Sequence, residues 1–285
     1  MKNIHNKKVV VTGGAMGIGF ATVKRLLDEG CSVAVWDNNS EAIKKAESEL
    51  VEYTPKLRFY LCDISDSEKV RVTALETKRD MGDVDILINN AGTVTAGRFT
   101  SHPVESWDRL TKINLNSIYY TTAAFLPDMY ERNSGQIVNI SSGAGLVGLP
   151  DLAVYCATKW AVYGFTESLR LEAMADGKNG VRFSSVHPGI LKKGLFEGSK
   201  MNFLGELLLP RVECHDDIAR AVVNKAVKKE RCVVKKPWSL NLGQVARALL
   251  PDIILNRLLI IAGAGECMKE WTGGHTIQAG EEKHA

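Results

Sequence analysis

KKVVVTGGAMGIGFATVKRLLDEGCSVAVWD, residues 7–37, reads as a strand, a tight turn, a helix and a second strand in direct succession. A β-branched run ends at Thr12 and is followed at once by glycines at 13, 14, 17 and 19. Ile18, Ala21, Thr22 and Leu26 then recur at helical spacing, Gly30 supplies a stop, and CSVAVWD (31–37) returns to a strand pattern. Two strands joined by one helix are the unit of a parallel sheet covered on both faces.

The same alternation continues outward. LRFYLCD (57–63), VDILINN (84–90), GQIVNIS (135–141) and VRFSSVHP (181–188) are further strand candidates. Between and beyond the strands, helices are expected near 40–52, 66–80, 103–132, 152–176 and 215–230. The pattern predicts an α/β fold of Rossmann type: a doubly wound parallel sheet of about seven strands, with helices on both faces. Residues 1–237 are expected to form this domain, and 238–285 an amphipathic helical extension that is not an independent domain.

With 285 residues, 45% apolar and 24% charged, the chain has the composition of a globular protein. A net charge of +3, spread among acids over most of the chain, offers no basis for nucleic-acid binding. Six scattered cysteines lack metal-ligand spacing, so no metal is expected and the thiols are read as reduced. The polar start MKNIHNKK does not resemble a signal peptide, and a cytoplasmic location is expected.

TGGAMGIG (12–19) follows a strand and opens a helix, the context a dinucleotide loop requires. Gly13 permits the turn, Gly17 and Gly19 allow close backbone approach, and the helix N-terminus favours a diphosphate. Alone, such a loop equally describes a plain strand-to-helix turn. Asp37 ends the second strand about 20 residues further on, where a carboxylate accepts ribose hydroxyls and repels a 2′-phosphate. Ala15, Met16, Asn38 and Asn39 offer no positive charge to such a phosphate, which favours NAD(H). The competing reading of Asp37 is a solvated turn residue or helix cap.

YCATK (155–159) spaces Tyr155 and Lys159 by four, on one face of a predicted helix. A phenol of pKa ~10 needs a depression of about 2 to 3 units to act as a base near neutrality. An ammonium ~5 Å away at an effective dielectric of ~20 contributes about 3 kcal/mol, and the positive ring of an oxidised nicotinamide adds to it, so lysine and cofactor together suffice for that shift. Tyr155 is therefore expected below its ordinary pKa.

With these motifs the chain resembles the short-chain dehydrogenase/reductase family. The resemblance rests on TGGAMGIG, NNAG (89–92), KINLNS (112–117), NISSGAG (139–145), YCATK and HPG (187–189), and covers residues 5–235. It implies Asn114, Ser142, Tyr155 and Lys159 as catalytic residues, with Ser141 a bystander. In that scheme Ser142 positions the substrate oxygen, Tyr155 transfers the proton, Lys159 also binds the nicotinamide ribose, and Asn114 holds a water leading to solvent. The same resemblance places Met16, Ile18, Asp63, Ile64, Asn90, Ala91, Gly92, Pro188, Gly189 and Leu191 around the cofactor. Lys193 departs from the family's usual threonine, which puts a nicotinamide contact in doubt.

GLFEGSKMNFLGELLLPRV (194–212) lies where the family carries a substrate lid. Phe196, Met201, Phe203, Leu204, Leu207, Leu208 and Leu209 are expected to line a greasy cavity or, equally, to serve ordinary packing. The long tail after Pro237 is similar to the branch handling retinoids, steroids and fatty alcohols, implying a lipophilic alcohol or ketone as substrate. Lys225, Lys228, Lys229, Arg231, Lys235 and Lys236, opposed in sequence only by Glu230, precede the apolar tail. Peripheral membrane contact is one expectation, a lid or subunit interface the others. The family's habit implies a homodimer or homotetramer. An idle NAD-binding sensor and a nucleotide-sugar epimerase or dehydratase remain alternatives; the intact relay opposes the first, and the apolar segment after 190 opposes the second.

Overall fold

β1 (Lys8–Thr12), β2 (Ser32–Asp37), β3 (Leu57–Leu61), β4 (Ile86–Asn89), β5 (Gly135–Ile140), β6 (Val181–Pro188) and β7 (Val233–Lys236) pair in parallel as β3-β2-β1-β4-β5-β6-β7. This is a computed structural model, and it describes residues 2–273; the last twelve positions of the expected extension, 274–285, lie outside the described residues. The helices are α1 (Gly17–Asp28), α2 (Ser40–Glu49), α3 (Ser67–Met81), α4 (Val104–Thr111), α5 (Ser117–Glu131), α6 (Ala153–Ala175), α7 (Phe203–Leu208), α8 (His215–Ala221), α9 (Leu240–Leu249) and α10 (Asp252–Ile261). The strand order reverses between β1 and β4, which opens a crevice at the carboxyl ends of the strands.

Alternate residues of each strand feed two separate cores. Val9, Val11, Val33 and Val35 pack toward α1, α2 and the stretch 218–227. Val10, Ala34, Trp36 and Leu87 pack toward α3, α5 and α6. Burial on both faces explains why the strands are nearly continuous apolar runs.

Two expected helices differ in detail. The stretch 103–132 is α4 and α5 joined by a π turn, Lys112–Asn116, that carries Asn114. Likewise α8 passes into a π-helical stretch, Val222–Val227. The basic segment 225–236 is also not a single charged face. Its end is β7, paired with β6, and two of its cations meet carboxylates in space, Lys228 with Glu29 (2.6 Å) and Lys236 with Asp217 (4.0 Å), while Lys235 donates to the Asn241 side chain (3.0 Å). Neighbours in the fold thus supply the counterions that sequence proximity does not show.

The extension docks on the 194–212 segment. Cys267 O accepts from Lys200 N (3.1 Å), Glu197 O from Thr272 N (3.1 Å), and Leu195 O from Trp271 Nε1 (3.0 Å). Leu240 and Leu255 are buried beneath α9 and α10.

A buried polar chain aligns the helices that carry the site residues. Asn89 Nδ2 donates to Asn139 Oδ1 (2.8 Å), Thr121 of α5 donates to Asn89 Oδ1 (2.7 Å), and Asn139 Nδ2 donates to Thr166 of α6 (2.9 Å). All four side chains are buried, so losing one strands its partners without water. Asn89→Ala is expected to cost about 2–3 kcal/mol of stability, measured by urea denaturation at neutral pH.

Candidate functional site

A cleft of about 650 Å³ follows the carboxyl ends of the strands, from Asp37 after β2 to Pro188 and Gly189 after β6. Gly13, Met16, Gly17, Ile18, Asp63, Ile64, Asn90, Ala91, Gly92 and Leu191 line it, together with Ser142, Tyr155 and Lys159. Of the residues singled out in the sequence, Gly19 and Asn114 stand behind this wall.

The glycine positions are set by contact. Gly13 adopts φ +60°, and a Cβ there would lie 2.8 Å from Ala91 Cα. One on Gly19 would lie 2.0 Å from the Gly13 carbonyl oxygen. Only hydrogen at these places lets α1 approach β1 closely enough to turn its first amides toward the cleft. Asn90 Nδ2 donates to the carbonyls of Thr12 and Gly13 (both 3.0 Å), fastening this turn to the segment after β4.

At the far end, Asp37 Oδ2 accepts from Ala15 N (3.1 Å) and Oδ1 from Asn39 N (3.1 Å), which fixes the carboxylate beside the turn. For Asp63, burial pushes the carboxyl up, but hydrogen bonds from Ser65 and the charges of Lys69 and Arg109 outweigh it and hold the group below its usual range. Arg109 of α4 lines the same cleft. Sequence reasoning missed it because α4 reaches the site only through tertiary packing.

Tyr155 and Lys159 face the cleft from α6 and are both buried. Lys159 Nζ lies 5.7 Å from the Tyr155 ring centre and donates to Ile140 O (3.1 Å). Lys159 by itself does not depress the phenol in this geometry. Burial pushes Tyr155 above its ordinary value, with the Ser142 hydroxyl pulling the other way, while burial lowers Lys159 to about 8. Removing both groups from water opposes each charged form, and that cost exceeds the help the ammonium gives the phenolate.

Ser142 Oγ accepts from Ala144 N (3.1 Å). Ser141 Oγ donates instead to Lys159 O (2.8 Å), so of the two serines Ser141 is tied to the α6 backbone. Asn114 is fully buried: its Oδ1 accepts from Thr93 N (2.8 Å) and its Nδ2 donates to Thr93 O (2.9 Å). A Cβ on Gly92 would sit 3.2 Å from Asn114 Oδ1 and 3.4 Å from Lys159 Nζ, so glycine leaves the space between them open.

Beyond Ser142 a small apolar cavity of about 50 Å³ is lined by Phe196, Met201, Leu209, Leu240, Leu259 and Met268, among others. Phe196 meets the Tyr155 ring edge-on at 5.6 Å. The remaining lid residues depart from expectation: Phe203 is 86% exposed, and Leu204, Leu207 and Leu208 also face solvent. The short α7 turns these outward because Asn202 caps it and Gly205 packs on the Ala262 carbonyl.

A glycine-cradled crevice at a sheet switch point, with a buried serine, tyrosine and lysine at one end, defines a dinucleotide-linked α/β enzyme class. Residues 7–201 match the short chain dehydrogenase family, and the chain belongs to that family. It is similar to short-chain dehydrogenase/reductase family 16C member 6 of Bos taurus, with 34% identity over 92% of this chain and 81% of the relative. Epidermal retinol dehydrogenase 2 of Homo sapiens is 33% identical over 88% of this chain and 80% of its own. Among solved structures, a metagenomic short-chain oxidoreductase in complex with NADP superposes with TM-score 0.69 at 28% identity, covering 82% of this chain and 98% of that one.

His187 braces the serine from behind. Its Nδ1 donates to Ser142 O (3.1 Å) and its Nε2 lies in hydrogen-bond contact with Ser185 Oγ (3.0 Å), in a buried setting that favours the neutral ring. Burial lowers its pKa from 6.5 to about 4, assisted by the charges of Lys235 and Lys159 and opposed by the Ser142 bond. The unfolded chain therefore binds this proton at higher pH than the folded one, and stability falls as pH drops from 6.5 toward 4. Relative to His187→Gln, the wild type should lose an additional ~3 kcal/mol across that window, read from urea denaturation at each pH.

Proposed function

We propose that this chain is an NAD(H)-dependent oxidoreductase interconverting a lipophilic alcohol, secondary as in a steroid or primary as in a retinoid, and its carbonyl, with Tyr155 as the acid/base. One observation carries the reading: Ser142 and Phe196 line both the dinucleotide-sized cleft and the apolar cavity, beside buried Tyr155 and Lys159. The cofactor fits because the cleft has the side-chain-free turn it needs at Gly13 and Gly17 and a fixed carboxylate, Asp37, at its far end. A bound nicotinamide dinucleotide supplies the hydride acceptor or donor and, when oxidised, a positive ring.

The chain's own groups do the rest. Ser142, its oxygen already accepting from Ala144 N, has its hydroxyl proton free to donate to the substrate oxygen. Tyr155 takes the alcohol proton in oxidation and returns it in reduction. Lys159, at about 8, is largely protonated at neutral pH and places its charge beside the phenol. Asn114 and Gly92 keep open the space behind Lys159 through which that proton exchanges with solvent. The name of one relative, an epidermal retinol dehydrogenase, supports a lipophilic alcohol of retinoid type. Asp37 supports NAD(H) over the NADP held by the solved relative. Pairing into dimers or tetramers has exposed apolar side chains to use on α5 and α6, such as Tyr119, Leu171 and Met174. Residues 238–273 belong to this catalytic unit, since they complete the apolar cavity.

Membrane contact is part of the same reading. Among the described residues no helix is long and apolar enough to cross a membrane. Leu249, Ile253, Ile254, Ile260 and Ile261 on α9 and α10 are exposed, as is Phe203 on α7. Such a face suits the interfacial zone of a bilayer, where a lipophilic alcohol is dissolved.

Turnover, followed by NADH absorbance on a panel of retinol, steroids and long-chain alcohols, is expected to fall at least a hundredfold in Tyr155→Phe. Asp37→Ala should weaken NAD(H) and narrow the preference against NADP(H); a wild type that already prefers NADP(H) removes the cofactor assignment. For the surface, wild type should float with anionic vesicles and Leu249→Asp/Ile253→Asp should not. Wild type that stays in the soluble fraction at low salt ends that part of the reading.

A further inference from the structure

The loop after β6 and the start of α8 meet over the glycine turn. Arg25 of α1 grips Asp216 through two bonds of 2.5 Å, which seats α8 against α1 and neutralises the carboxylate beside His215. His215 then lines the cleft with its ring over the turn: Nε2 lies 3.8 Å from where a Gly17 Cβ would be. Gly194, at φ +78°, makes room for it, because a Cβ there would come within 2.8 Å of the same nitrogen.

Lys193 lines the cleft directly before that glycine. Its charge acts on His215, which with burial holds the imidazole below its ordinary value. The adjacent Lys192 is engaged by Glu213 at 2.5 Å. Among the described residues, neither Lys193 nor His215 has such a side-chain partner. A cation and an imidazole have therefore been brought together, without a counterion, above a stretch of backbone that carries no side chain at Gly17.

We infer that Lys193 and His215 form a clamp on the diphosphate of the dinucleotide, holding it against Gly17 from the side opposite the β1 turn. An anion there supplies the partner that both groups lack; the Asp37 carboxylate beside the same turn is engaged instead by Ala15 N and Asn39 N (both 3.1 Å). The inference rests on the cofactor reading given above. It adds to that reading two binding residues, drawn from parts of the chain far from the glycine motif.

Equilibrium binding of NADH to the full chain, with competition by ADP and by adenosine, tests it without reference to turnover. Lys193→Met and His215→Gln should each weaken NADH and ADP about tenfold, as loss of a charge-assisted contact does, and leave adenosine within about twofold. Lys193→Met should also flatten the salt dependence of ADP binding. Lys193 is exposed, so its variant retains the fold even if His215→Gln does not. ADP affinity unchanged in both variants overturns the clamp while the cofactor reading stands. An equal loss for adenosine also overturns it, since the effect is then structural. A wild type that binds neither NADH nor ADP overturns the cofactor reading and the clamp with it.

Discussion

Where β1 and β4 part company, two backbone carbonyls lose the neighbour that a continuous ladder would provide, and the Asn90 amide takes both. Its bonds to Thr12 and Gly13 satisfy acceptors that would otherwise each cost about 1–3 kcal/mol when buried. The same two contacts fix the distance between the glycine turn and the segment running through Gly92. That distance sets the width of the cleft, and Gly92 is also where Asn114 and Lys159 approach each other. Asn90 was expected from the resemblance to surround the cofactor; it does line the cleft, but its side-chain amide is committed to holding the cleft's shape.

Burial governs the other end of the site. A simple Coulomb argument gives an ammonium about 3 kcal/mol of influence on a phenol ~5 Å away, and predicts a lowered Tyr155. It leaves out the cost of taking both groups out of water. In this structure that cost wins: the phenol rises and the lysine falls to about 8. The proposed chemistry gains from this starting point. A neutral phenol is the required form for donating a proton in reduction. For oxidation the lowering must come from a further positive charge close by, so that proton transfer is tied to the oxidised state of the cofactor.

The features legible in the sequence were those with short-range causes. The inner strands betrayed themselves because each is buried on both faces, and the glycine turn because steric contacts at Gly13 and Gly19 admit nothing larger; the edge strand β7, half-buried and ending in two lysines, was not recognised. The grouping of Ser142 with Tyr155 and Lys159 was legible only through the resemblance to a known family, since a tyrosine and a lysine four apart recur on many helices. What escaped depends on contacts between distant segments. Arg109 and His215 carry no local pattern, and they enter the cleft only because α4 and α8 pack where they do. The ion pairs of the basic run at 225–236 were hidden for the same reason: Glu29 and Asp217 come from other elements. The π turn at Asn114 is a departure of one residue from α-helical spacing, too small for periodicity to register.

The extension shows how one amphipathic segment can serve two solvents. Its inward residues Leu240, Leu259 and Met268 close the apolar cavity, and its outward ones, Leu249, Ile253 and Ile261, stand in water at a cost of roughly 1.5–3 kcal/mol for each large side chain left uncovered. A fold under no further constraint would exchange such residues for polar ones without disturbing the cavity, because the two sets point in opposite directions. Their placement on the outside of the elements that line the cavity is what the proposed membrane contact would use. The lid residues follow the same division: Phe196, Met201 and Leu209 turn in, while Phe203 and Leu207 turn out. Cavity lining and exposed face are thus supplied by the same elements, so a bilayer meeting the outer face, as proposed, would lie next to the cavity beside Ser142.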